Sequence, residues 1–189
     1  MCQRVHSRGA IINAIISIAP ITIVLIIVTI VSIAPSASAQ AFSAPSKYTI
    51  SGGPSMPVVA DVNHDGALDI VCVLGGTDKI TLLKNDGSGG FVTPVNFSVG
   101  GKFPQHAALA DLNQDGNVDC VVGVFLTNSI VTLFGDGAGL FGANSTLAFG
   151  HIVSPGVAGL CDLNQDGKLD LATNSFITTK IATALNDGT

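Results

Sequence analysis

Tryptophan and glutamate are both missing from the 189 residues of the chain, and only 11% of the residues are charged. Without glutamate, acid–base chemistry would fall to aspartate and to four histidines. His6 lies in a targeting stretch, and His106 and His151 fall at expected inter-strand connections with no partner motif. No Ser-His-Asp spacing occurs, so the reading is against an enzyme. Basic residues are scarce as well. Beyond residue 39 there are six lysines against 13 aspartates and no basic patch, which leaves nothing for nucleic acid to bind. Sustained i, i+3, i+4, i+7 apolar patterns are absent beyond the N-terminus, so helices are not expected. Aromatics make up 5%, whereas Val, Ile, Thr and Gly are plentiful, which favours short strands and tight turns. Of four cysteines, Cys2 lies in the targeting stretch; Cys72, Cys120 and Cys161 remain, an odd number without metal-type spacing. They are expected as small buried residues rather than a disulfide framework.

What is present begins with an export pattern. Arg4, His6 and Arg8 precede an uncharged, Ile-rich run from Ile11 to Ala34. Ala37-Ser38-Ala39 has the small-x-small form of a cleavage site, making residues 1–39 a signal peptide and Gln40 the mature N-terminus. The alternative is a retained N-terminal membrane anchor, since the run is long enough to span a bilayer. Either way residues 40–189 are expected to be exported, secreted or at the cell surface, with membrane contact only through the signal or the uncleaved anchor.

Nine of the 13 aspartates sit in three nonapeptides: "DVNHDGALD" at 61–69, "DLNQDGNVD" at 111–119 and "DLNQDGKLD" at 162–170. Their first positions are 50 and 51 residues apart, a period that marks a repeat architecture. Other offsets repeat with them. Pro54, Pro104 and Pro155 each stand seven residues before a loop, and Asp86, Asp136 and Asp187 each stand in an Asp-Gly turn after it. Such turns between apolar runs are hairpin signals. Each unit therefore reads as four short strands, as in "PVVAD", "LDIVCVL", "KITLLKN" and "FVTPVNFSV". No segment between them has room for a crossover helix, so neighbours are antiparallel. The expected fold is all-β: a partial β-propeller of about three four-stranded blades near 54–103, 104–154 and 155–189. Residues 42–50 align with the fourth strands, Phe42 with Phe91, Pro45 with Pro94 and Tyr48 with Phe97, and are expected as a displaced fourth strand. The sequence stops at "ALNDGT", before a further fourth strand. The expectation is a truncated reading frame or fragment, with further blades or a second chain needed to close a propeller.

Three acids so close repel one another unless a cation holds them. Positions 1, 3 and 5 supply side-chain oxygens, glycine at 6 permits a sharp turn, and position 7 varies as Ala67, Asn117 and Lys168, so only its carbonyl can serve. An all-oxygen donor set suits a hard cation, and the Asp-Gly loop favours Ca²⁺ over Mg²⁺. Apolar positions 2 and 8 (Val62 and Leu68, Leu112 and Val118, Leu163 and Leu169) are expected to pin both loop ends into the core. His64, at position 4 where the other copies have Gln114 and Gln165, reads as a solvated polar residue. A helix-loop-helix calcium site needs an acid at position 12, where Cys72, Val122 and Thr173 stand instead. The plainer alternative is three metal-free Asx turns.

The unit resembles the FG-GAP/VCBS repeat of integrin-alpha-type β-propellers, including bacterial secreted versions, over about residues 42–189. The resemblance implies calcium ligands at loop positions 1, 3, 5, 7 and 9, about three Ca²⁺ per chain. In this sequence these are Asp61, Asn63, Asp65, Ala67 and Asp69; Asp111, Asn113, Asp115, Asn117 and Asp119; and Asp162, Asn164, Asp166, Lys168 and Asp170. The FG-GAP segment itself is degenerate, with "FGDGAGLFG" nearest to it, which weakens a transfer of integrin-like ligand binding. The expected function is an exported calcium-binding module for adhesion to a glycan or protein ligand. The alternatives are a structural repeat of a larger exported protein and a fragment of a propeller hydrolase.

Overall fold

The computed structural model describes residues 44–148, 155–175 and 177–188. Residues 47–189 form the compact unit that holds every described strand. The signal and its cleavage site, with Phe42 and His151, lie outside the described residues. Among the described residues no helix is long and apolar enough to cross a membrane.

Among the described residues eleven strands form three antiparallel sheets. Sheet 1 contains β1 (Pro54–Ala60), β2 (Asp69–Leu74), β3 (Lys79–Leu83) and β4 (Val95–Ser98) in sequence order. Sheet 2 repeats this with β5 (Pro104–Ala110), β6 (Asp119–Val124), β7 (Ser129–Gly135) and β8 (Phe141–Ala148). Sheet 3 has β9 (Pro155–Cys161), β10 (Asp170–Ser175) and β11 (Ile181–Ala184), with β11 at its edge. The all-β, antiparallel repeat of the sequence is therefore the fold, in the form of a partial propeller.

Two strand expectations need correction. The fourth strand of sheet 1 does not run from Phe91. Phe91 makes only an isolated bridge with Asn85, and the ladder resumes at Val95 opposite Leu82. The cause is Pro94, which has no N–H to give to a ladder. Sheet 2 has Asn144 at that place, and β8 runs unbroken from Phe141. Residues 44–50, expected as part of a displaced strand, carry no strand. Tyr48 instead packs edge-on against Phe91, ring centroids 5.4 Å apart.

Strand alternation explains how the sheets stack. Successive side chains point to opposite faces. On β6, Cys120, Val122 and Val124 join Val71, Val73, Ile80 and Leu82 of sheet 1 in one core. Val121 and Ile130 turn the other way and pack with Leu171 of sheet 3. Sheet 2 is thus buried on both faces, and β6 reads as the near-continuous apolar run "DCVVGV" for that reason. The Phe97 and Phe141 rings close the outer part of the first core edge-to-face, 5.3 Å apart. Cys72 and Cys120 are buried, as expected, but Cys161 is exposed; all three are free. His106 is a residue of β5, not of a connection, and its burial lowers its pKa.

Between sheets 2 and 3 the backbones come close together at Gly123. A Cβ there would overlap the carbonyl oxygen of Pro155. Gly123→Val should therefore destabilise the fold by about 1–3 kcal/mol, the usual cost of overpacking. Thermal unfolding followed by circular dichroism checks this, and an unchanged melting temperature would contradict the β6–β9 contact.

Candidate functional site

Each nonapeptide connects the first strand of a sheet to the second, and the three copies fold alike. In the first, the Asp65 N–H donates to Asp61 Oδ1 and to Asn63 Oδ1, both at 3.2 Å. Gly66 N–H donates to Asp61 Oδ2 at 2.9 Å, and Ala67 N–H to Asp65 Oδ1 at 2.8 Å. The same bonds recur around Asp111 and Asp162. Glycine at position 6 is required, since its φ is 85°, 89° and 86° in the three loops. Position 4 is also left-handed, with φ 59° at His64, 60° at Gln114 and 64° at Gln165.

The ninth position differs from the rest. Asp69, Asp119 and Asp170 are fully buried. Asp119 Oδ2 accepts from Leu112 N–H and Oδ1 from Gly135 N–H, both at 2.9 Å. Asp69 does the same with Val62 (3.2 Å) and Asn85 (2.8 Å), and Asp170 with Leu163 and Asn186 (both 2.8 Å). Each carboxylate therefore ties the loop's start to the end of the third strand, 16 residues further on. The sequence marked these residues as ligands; that they also staple the backbone was not read from it. The missing signal is a backbone amide, which no side-chain pattern records.

The loops are also linked to one another: position 4 is exposed, as the reading of a solvated polar residue expects, and it also reaches the next loop. His64 Nε2 lies 3.3 Å from Asn117 Oδ1 of the second loop, a hydrogen bond when that nitrogen carries the proton. Gln114 Nε2–H donates to the Gly167 carbonyl of the third loop at 2.8 Å. Positions 2 and 8 do not both enter the core everywhere. Position 2 packs toward the following sheet and position 8 toward the preceding one, so Val62 is buried and Val118 packs on the same core, while Leu68 and Leu163 are exposed.

The side chains that the sequence singles out are thus brought together loop by loop. Among the described residues no group of three or more His, Cys or Asp side chains stands ready to hold a metal ion. Electrostatics separate the carboxylates. Burial of Asp119 raises its pKa, two N–H donors oppose the rise, and Asp115 and Asp111 add to it. The N–H groups of Asn117 and Lys168 lower Asp115 and Asp166. In Asp61 desolvation is the largest single effect and raises the pKa, but the N–H donors of Gly66, Asp65, Asn63 and His64 together outweigh it and leave it lowered.

Two outcomes follow. Asp119→Ala leaves two backbone N–H groups without an acceptor, at about 1–3 kcal/mol each. It should cost about 2–5 kcal/mol of stability, measured by denaturant unfolding in chelator. Carboxyl titrations by NMR should place Asp119 above, and Asp61, Asp115 and Asp166 below, the ordinary carboxylate value. The latter three favour the fold above that value, and their contribution is lost as pH falls through their lowered pKa; Asp119 acts in the opposite sense, favouring the fold once protonated. Four coincident titrations would refute this.

No curated protein matches the chain. A family model described as the FG-GAP-like repeat matches residues 61–122 and 111–173, each span running from one nonapeptide through the second strand of the next sheet. Together the two spans cover more than half of the sequence, and the chain belongs to the FG-GAP repeat family, as a β-propeller-like repeat module.

Proposed function

We propose that the three loops bind calcium, and that the chain is an exported, calcium-stabilised module that binds an extracellular glycan or protein ligand. The observation that carries this is the threefold recurrence of one loop whose oxygens gather on one backbone turn. Asp61 and Asn63 both direct an oxygen at the Asp65 N–H, and Asp65 shares the turn. This donor set is oxygen only, which fits a hard cation. A carboxylate has about four acceptor positions, so Asp69 can hold its two N–H groups and still face a cation. Asp61, Asn63, Asp65, the Ala67 carbonyl and Asp69 would hold the first ion, with the equivalent residues at 111–119 and 162–170 holding the others. Calcium would neutralise carboxylates that otherwise repel, and so fix the loops.

Export is supported by the Arg4–Arg8 flank, the Ile11–Ala34 run and Ala37-Ser38-Ala39. A binding role rather than catalysis is supported by the lack of glutamate and of a Ser-His-Asp spacing.

Calorimetry should find three calcium ions per chain at dissociation constants of roughly 10⁻⁴–10⁻³ M. At about 10 mM calcium each filled loop then adds about 1.4–2.7 kcal/mol of stability. Asp115→Ala should lower the count to two and remove about a third of the calcium-dependent rise in melting temperature. A melting temperature indifferent to calcium would overturn the metal reading. For the ligand, chelator-sensitive binding on a glycan array supports adhesion to carbohydrate.

A further inference from the structure

The second and third loops are each held by the preceding loop, and both are held at the same segment, positions 6 and 7. In the third loop the hold is on the backbone. The Gly167 carbonyl accepts from Gln114 Nε2–H at 2.8 Å, and the Lys168 N–H donates to Asp166 Oδ1 at 2.9 Å. That carbonyl and that N–H belong to one planar peptide unit, so the two bonds fix its plane from both sides. In the second loop the hold is on the side chain. Asn117 Oδ1 lies 3.3 Å from His64 Nε2, while the Asn117 N–H donates to Asp115 Oδ1 at 2.8 Å. Position 7 is where only a main-chain carbonyl can serve a cation, so its direction is set by the peptide on which it stands. A neighbouring loop orients that peptide.

The residues that reach across stand between ligand positions. His64 is flanked by Asn63 and Asp65, and Gln114 by Asn113 and Asp115. Glutamine is not among the residues that take the left-handed conformation readily, yet Gln114 has φ 60°. Asparagine takes it more easily, but its amide is one methylene too short for the bond to Gly167. A second connection joins the third loop to the second. The Asn186 N–H donates to Asp170 Oδ1 at 2.8 Å, and Asn186 Nδ2–H donates to the Leu112 carbonyl at 2.9 Å, between positions 1 and 3 of the second loop. Sheet 2 has Gly135 at the place of Asn186, with no side chain to reach the first loop in the same way. Loops 2 and 3 are thus joined by two routes.

We infer that His64 and Gln114 are positioning residues for calcium in the following loop, and that neighbouring loops therefore fill cooperatively, the second and third most strongly. This rests on the calcium reading above. Holding positions 3 and 5 on a cation fixes the residue between them. Gln114 then offers the third loop a peptide already oriented, so less ordering remains when that loop binds its own ion. Linkage makes the effect reciprocal: the gain in affinity that one filled loop gives its neighbour is returned by the same factor. The net worth of one neutral hydrogen bond corresponds to about 2–10-fold in a dissociation constant.

Calcium titration of the whole chain followed by NMR reads each loop through its own position-6 amide, that of Gly66, Gly116 or Gly167, which donates to the first aspartate of the loop. Gln114→Asn touches no ligand. It should weaken calcium at Gly167 by about 2–10-fold and leave Gly66 nearly unchanged. His64→Asn should do the same at Gly116. A merely structural role for Gln114 would lower the melting temperature in chelator without separating the loops. Asp166→Ala, which disables the third loop, should weaken calcium at Gly116, and should do so less in a chain that already carries Gln114→Asn. If Gly167 titrates alike with and without Gln114→Asn, or Gly116 ignores Asp166→Ala, the coupling is overturned and the calcium reading stands. If no glycine amide responds to calcium, the calcium reading falls and the coupling with it.

Discussion

A buried carboxylate that accepts two backbone N–H groups is what each repeat of this protein is built around. Asp119 sits where the loop re-enters the sheet, and its two oxygens reach the second loop residue and the last residue of the third strand. Three segments of the repeat converge on one side chain. Burying an ion costs several kcal/mol unless it is well satisfied, and here two N–H dipoles do that. The cost explains why the position is aspartate in all three copies: asparagine would turn an amide NH₂ toward one of the two N–H groups. The same constraint places the loops. Because Asp69, Asp119 and Asp170 each open a second strand, every loop emerges at the same end of its sheet, and nine of the 13 aspartates gather along one edge.

That edge has its own lateral bonds. The left-handed residue at position 4 throws its side chain out of the turn and onto the next loop, from His64 to Asn117 and from Gln114 to Gly167. The sheets therefore meet twice, through their apolar faces and through a polar strip at the loop end. In a stack whose units touch only their neighbours, such a strip fixes the rotation between one sheet and the next, whereas apolar contact alone tolerates sliding.

Much of this was legible in the sequence, for identifiable reasons. The strands, the turns and the antiparallel order follow from Asp-Gly punctuation at a period of 50 and 51 residues. The loop residues were found because their side chains carry the pattern. What escaped was carried by the backbone or by a neighbouring unit. The staple at Asp69 depends on the Asn85 amide, and the link at His64 depends on a loop 53 residues away. Pro94 was visible, yet its effect was overlooked because Phe91 and Phe97 fit the same strand pattern; only the ladder shows the interruption. Residues 44–50 match the fourth strands in sequence, but a strand needs a partner, and a matching pattern does not supply one.

The last point bears on repeat sequences in general. A repeat writes the same apolar positions into every unit, because most units have neighbours on both sides. It cannot by itself mark which unit stands at an end. Ile80, Ile130 and Ile181 are one position in sequence and two in physics: under a neighbouring sheet the side chain adds about 1.5–3 kcal/mol of burial, and without one it is an exposed apolar surface. In sheet 3 Leu163 and Ile181 are exposed where Val62, Ile80 and Ile130 are buried, so the apolar code of a repeat position takes effect only where another sheet lies over it.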